Sequence, residues 1–167
     1  MGANWEWAAC GKHPAARDFF KLGRFSRLAE GIAQWVDRGY QLCAARKKLP
    51  ENSWRFWTRG TRKGTLNCGV IRDCRDQVGR PYPFLTMGEG PLPGWEERWH
   101  FNIEACERSW AQMETLYTRN FRDLKEMEGE VRRILPPFFP ETEPGAASGP
   151  LVWGRQELEQ GMPGLIE

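Results

Sequence analysis

Three stretches of the chain repeat apolar residues at helical spacing. In the first, Leu28, Ile32, Trp35, Val36 and Cys43 recur near 3.6 residues. Ser26 stands where a helix N-terminus is capped, Arg46, Lys47 and Lys48 suit a C-terminal dipole, and Pro50 stops the run. The pattern predicts a helix over 26–48. In the second, Trp99, Ile103, Cys106, Trp110, Met113 and Tyr117 alternate steps of four and three, predicting an amphipathic helix over 96–118. In the third, Asn120 is a candidate cap for a helix that sets Leu124, Met127, Val131, Ile134 and Leu135 on one side and ends at Pro136–Pro137.

Strand patterns fill the other half. Residues 4–10 alternate at first, and Gly11–Lys12–His13–Pro14 ends them. Residues 15–24 read as a loop or one helical turn. Residues 53–58 and 65–71 and the run Tyr82–Met87 read as three successive strands, the second broken by Gly69. Their short links predict an antiparallel arrangement. Residues 88–94, rich in Gly and Pro, read as a turn. Residues 1–135 then form a single domain. Residues 136–167 are a Pro/Gly-rich linker and tail, with one possible added strand at 151–153.

Composition narrows the function. The chain has 167 residues, 40% of them hydrophobic, with nine Trp, enough for a core of its own. A net charge of +2 with interspersed signs gives no basic footprint for nucleic acid and no polybasic membrane anchor. No apolar run approaches the roughly 20 residues of a membrane span, and no charged-then-apolar leader opens the chain, so the expected setting is the cytoplasm. Five cysteines without CxxC spacing read as free thiols in a reducing compartment.

Candidate chemistry is sparse. His13 and His100 sit in no metal-ligand pattern, and no cofactor motif occurs. Cys10 or Cys74 with His13 could make a small cysteine-dependent hydrolase, the alternative to a non-catalytic protein. The stretch Asp76–Gln77–Val78–Gly79–Arg80–Pro81–Tyr82–Pro83 is denser. Gly79 can take angles closed to other residues, while Pro81 and Pro83 push their predecessors towards extended backbone. Arg80 can fork onto Asp18 or Asp76. Such a cluster either staples two loops together or recognises a partner.

Three groups of residues carry a resemblance. Gly11, Lys12, Pro14, Asp18 and Phe19 come first, then Trp54, Arg55 and Phe56, then Asp76, Gly79, Arg80 and Pro83. In this order they resemble the TagF (ImpM) family, whose pattern runs roughly GKxPxxGDF, WRF and DRVGRx[FY]P. Arg17 and Gln77 depart from it. The resemblance implies an α/β fold, a three-layer α/β/α sandwich with a mixed, largely antiparallel sheet flanked by helices. It implies a cytoplasmic accessory protein of the bacterial type VI secretion system without enzymatic activity. It further implies a post-translational repressor acting with a forkhead-associated (FHA) scaffold protein, with those twelve residues as a structural or partner-binding motif and no cofactor.

Overall fold

The computed structural model describes residues 4–44 and 52–139. Five strands form one sheet: β1 (Glu6–Gly11), β2 (Phe20–Gly23), β3 (Ser53–Arg59), β4 (Thr65–Arg75) and β5 (Pro81–Pro91). The order is β2-β1-β5-β4-β3, and every neighbouring pair is antiparallel. The expectation of a mixed sheet is corrected: all pairings among the described residues are antiparallel. Helix α1 (Arg27–Ala44) links β2 to β3. After β5 come a 3₁₀ turn (Trp99–Phe101), α2 (Asn102–Thr118) and α3 (Leu124–Arg132).

Alternation along the strands sorts the core into two clusters on opposite sides of the sheet. Trp7 and Ala9 of β1, Leu66, Cys68 and Val70 of β4, and Phe84 of β5 pack with Cys106, Trp110 and Met113 of α2 and with Met127 and Val131 of α3. Cys10, Leu85 and Met87 pack instead with Ala29 and Val36 of α1, joined by Phe56 and Ile71.

Several boundaries move from where the sequence puts them. Phe20–Gly23, expected as loop, is the edge strand β2, paired to β1 from Ala8↔Gly23 to Gly11↔Phe20. Four residues are too few for period two to stand out, so pairing rather than pattern makes this strand. β4 passes through Gly69 without a break and continues to Arg75. A Cβ at Gly69 would run into the Phe56 ring, which occupies that space. β5 likewise continues through Gly88, Glu89 and Gly90 to Pro91. There the glycines are not turn residues. Gly88 lies under the Trp7 ring and Gly90 under Trp5, and a side chain at either would collide with an indole. Trp5 and Trp7 stack with centroids 5.3 Å apart, and Trp5 Nε1 donates to Pro91 O at 3.1 Å.

The helices differ at their ends. Ser26 Oγ accepts from Ala29 N at 3.2 Å, as an N-cap does. The basic end expected for α1, residues 46–48, lies outside the described residues, as does the strand expected at 151–153. The second helix begins at Asn102 rather than residue 96, and Trp99 is exposed. The cap of α3 is Asp123, not Asn120: its Oδ1 accepts from Glu126 N at 2.8 Å while Glu126 accepts from Arg122 N at 2.9 Å. Leu135, expected on the apolar side of that helix, is exposed. Residues 136–139 run back over α2, with Phe138 N donating to Ala105 O at 3.2 Å and the Arg98 guanidinium 3.8 Å from the Phe139 ring centroid.

Gly88→Val tests the indole cover. The added side chain must displace the buried Trp7 ring, and overpacking of this kind costs roughly 1–3 kcal/mol. Chemical denaturation should show that loss, and an unchanged midpoint would mean that Trp7 has another place to go.

Candidate functional site, a two-loop knot around Asp76

The β1–β2 loop (12–19) and the β4–β5 loop (76–80) meet at one end of the sheet. Each is shaped locally first. In the β1–β2 loop, Ala16 N donates to His13 O at 2.9 Å, closing a turn with Pro14 at its second position. In the β4–β5 loop, Gly79 N donates to Asp76 O at 2.9 Å and Asp76 N to Arg80 O at 3.1 Å. Gly79 sits at φ 87°, in the left-handed region that favours glycine.

Asp76 joins the two loops. Its side chain is fully buried. Oδ1 accepts from Val78 N at 3.1 Å and Arg80 N at 2.8 Å. Oδ2 lies 2.7 Å from Arg80 Nε and 3.1 Å from Lys12 Nζ. Arg80 then reaches across. Its Nη2 donates to Arg17 O at 2.5 Å and stands 3.5 Å from Asp18 Oδ2. The backbone adds one more tie, Gln77 N to Ala16 O at 2.8 Å. Burial by itself would raise the Asp76 carboxyl, but the Arg80 backbone amide and the Lys12 and Arg80 side chains outweigh it and hold it down at about 2. Asp18 is also lowered, first by the Phe19 amide and then by Arg80.

Gly11 makes the approach possible. It sits at φ 123° against Pro83 O, where a Cβ would overlap that carbonyl. His13 fastens the same loop to α2. Its Nδ1 accepts from Ala15 N at 3.1 Å, so Nε2 carries the proton and donates to Leu116 O at 3.0 Å. Burial lowers its pKa, and the ring packs against Phe84 and Phe121. Sequence reasoning treated His13 only as a possible catalytic base and missed this role.

The Cys10–His13 pairing expected of a hydrolase does not form. Both His13 ring nitrogens are engaged by backbone groups. Cys10 lies in the cluster beneath α1, away from the face that holds His13, and burial pushes its thiol up to about 12. Among the described residues no three or more His, Cys, Asp or Glu are placed to share a metal ion, and no helix there is long and apolar enough to cross a membrane.

The knot gathers Gly11, Lys12, Pro14, Asp18, Phe19, Asp76, Gly79, Arg80 and Pro83. It does not include Trp54, Arg55 or Phe56, which lie on β3, three strands away from β1. Arg55 instead grips α2, its Nε and Nη2 each 2.8 Å from Glu114 and its Nη1 2.8 Å from Glu107. Phe56 packs with the α1 cluster. Trp54 is 48% exposed on the same side. At the knot's rim two apolar side chains face outward: Phe19, 45% exposed and edge-on to Tyr82, and Val78, 64% exposed.

These features describe an α/β domain whose two clamped loops hold apolar tips towards solvent. Residues 8–134 match the model of the TagF N-terminal domain, described as type VI secretion system-associated, and the chain belongs to that family. No curated protein matches it in sequence. In structure it is similar to the crystal structure of PA0076 from Pseudomonas aeruginosa PAO1, with a TM-score of 0.57 and 20% identity. The match covers 78% of this chain and 63% of that one. At this identity the likeness supports a shared fold.

The Asp76 knot predicts an acid-sensitive clamp. The ordinary carboxyl value is 3.8 and the folded one about 2, so the stabilisation is full above about pH 4 and fades as pH falls towards 2. Asp76→Asn leaves Lys12 and Arg80 without their shared anion and should lower the melting temperature at pH 7 by roughly 5–10 °C. Arg80→Ala should cost less, because Lys12 and two amides still hold the carboxylate. Melting curves at pH 7 and pH 3 check both; an Asp76→Asn protein that melts like wild type at pH 7 sinks the clamp.

Proposed function

We propose that this chain is a non-catalytic regulator of the type VI secretion system that works in the cytoplasm by protein–protein binding. Its partner on this reading is an FHA-type scaffold, and the outcome is post-translational repression of secretion. Family membership supplies the secretion context. On this reading α1 on one side of the sheet and α2 with α3 on the other form the three-layer sandwich that the resemblance implies.

One observation carries the proposal: the knot fixes two loops while leaving Phe19 and Val78 outward. A rigid loop pair loses little conformational freedom on binding, so exposed apolar tips convert more of their contact into affinity. Arg17 and Gln77, next to them in the two loops, add exposed polar side chains.

Phe19→Ala combined with Val78→Ser tests it. Neither residue is buried, so stability should stay within about 1 kcal/mol of wild type. Recovery of a secretion component by the tagged chain, from cells that make the apparatus, should fall at least tenfold. The reading fails if the folded wild-type chain recovers no secretion component and its deletion leaves secretion unchanged.

A further inference from the structure

α1 carries a second apolar stripe that its own core does not use. Ala29 and Val36 are buried against the sheet, whereas Leu28, Gly31, Trp35, Gly39 and Leu42 lie within an arc of about 80° on the helix flank. Trp35 is 68% and Leu42 76% exposed, among the most exposed large apolar residues described. Open space lies beyond both Gly31 and Gly39. Each glycine costs an exposed helix roughly 1 kcal/mol against Ala, so both are a burden to α1 unless something approaches closely.

The stripe is a palindrome about Trp35: Leu, Gly, Trp, Gly, Leu at −7, −4, 0, +4 and +7. Two-fold symmetry between antiparallel helices sets each position opposite its reflection through the centre. Leu28 then meets Leu42, Gly31 meets Gly39, and each Trp35 ring has a glycine notch beside it. The charges agree. Arg27, Glu30, Asp37 and Arg38 fall opposite Cys43, Tyr40, Ala33 and Ile32, so no like charges face each other.

We propose that a second copy of this chain docks on this stripe, the two α1 helices lying antiparallel about a two-fold axis at Trp35. The sheet favours the same occupant. Among the described residues α2 and α3 pack on one side and α1 is the one helix on the other, packing on Cys10, Leu85 and Met87 and leaving Trp54 of β3 exposed. A second helix beside α1 would extend that cover towards β3. Each Trp buries roughly 150–250 Å², and with two exposed Leu42 and two half-buried Leu28 side chains the contact stays below about 1,000 Å². That is the low end for a specific interface, and the dimer should be reversible and concentration-dependent.

Sedimentation of the purified full chain from micromolar to millimolar concentration should show a monomer–dimer equilibrium. Trp35→Glu should weaken it at least tenfold with unchanged melting. Register has its own readout in a Cys43→Ser background: Leu28→Cys mixed with Leu42→Cys should form a disulfide-linked pair under mild oxidation, while each alone should not. A chain that stays monomeric at millimolar concentration, a dimer indifferent to Trp35→Glu, or equal linking by Leu28→Cys alone overturns the proposal. So does a monomer in which Trp35→Glu abolishes capture of a different protein, which would assign the stripe to that partner.

Discussion

A carboxylate taken fully out of water must find donors for its oxygens, and Asp76 finds four. Two are amides of its own loop, which fix the turn. Two are side chains, Lys12 from the β1–β2 loop and Arg80 from its own. Because one anion serves both loops, the shape of each depends on the other. Arg80 spends its remaining reach on Arg17 O and Asp18, so the clamp extends across the surface to the base of Phe19. Neutralising Asp76 would leave the largely covered Lys12 and the half-exposed Arg80 side by side without their shared anion, a larger disturbance than losing one exposed ion pair.

The sheet explains why the clamp is needed. β1 and β5 are neighbours, so the loop leaving β1 and the loop entering β5 emerge side by side. Gly11 and Pro83 bring their backbones into contact at that point. Two loops that close leave little room for water to satisfy them, and side chains must do it instead. His13 completes the arrangement from below by joining the β1–β2 loop to the end of α2. The knot thus ties together elements from both halves of the chain, and its residues are as much a part of folding as of any surface.

What could be read from sequence follows the same physics. The stripe of α2 was legible because the face from Cys106 to Tyr117 is buried, whereas of the spacing that marked α1 only Val36 is buried and Ile32 packs on the core, while Trp35 and Cys43 are exposed. The Asp76–Arg80 turn was legible because Gly79 opens angles closed to other residues and Pro81 restricts its predecessor. β2 was not, since four residues carry too little periodicity. The break expected in β4 and the early end expected for β5 were misreadings because glycine usually marks a turn. Here Gly69, Gly88 and Gly90 make space for Phe56, Trp7 and Trp5, and that reason exists only once the strands are paired. The orientation of Asp76 was open for the same reason: Arg80 could be seen, but Lys12, 64 positions earlier, becomes its neighbour only through the β1–β5 pairing.

The motif order also changes meaning in three dimensions. Trp54, Arg55 and Phe56 carry the sequence resemblance together with the loop residues, yet they lie towards the other edge of the sheet and divide their work. Arg55 faces α2 and is fully engaged by two glutamates, Phe56 faces α1 and fills the space above Gly69, and only Trp54 looks outward. A motif shared along the sequence therefore does not mark one contiguous site. Its residues fall at two places, the end where β1 and β5 release their loops and the edge strand β3 that Arg55 ties to α2. Of these, the loop end combines a rigid backbone with exposed apolar tips, and the edge offers one tryptophan beside the flank of α1. On the two proposals above, the surface for a partner and the surface for a second copy lie apart and do not compete.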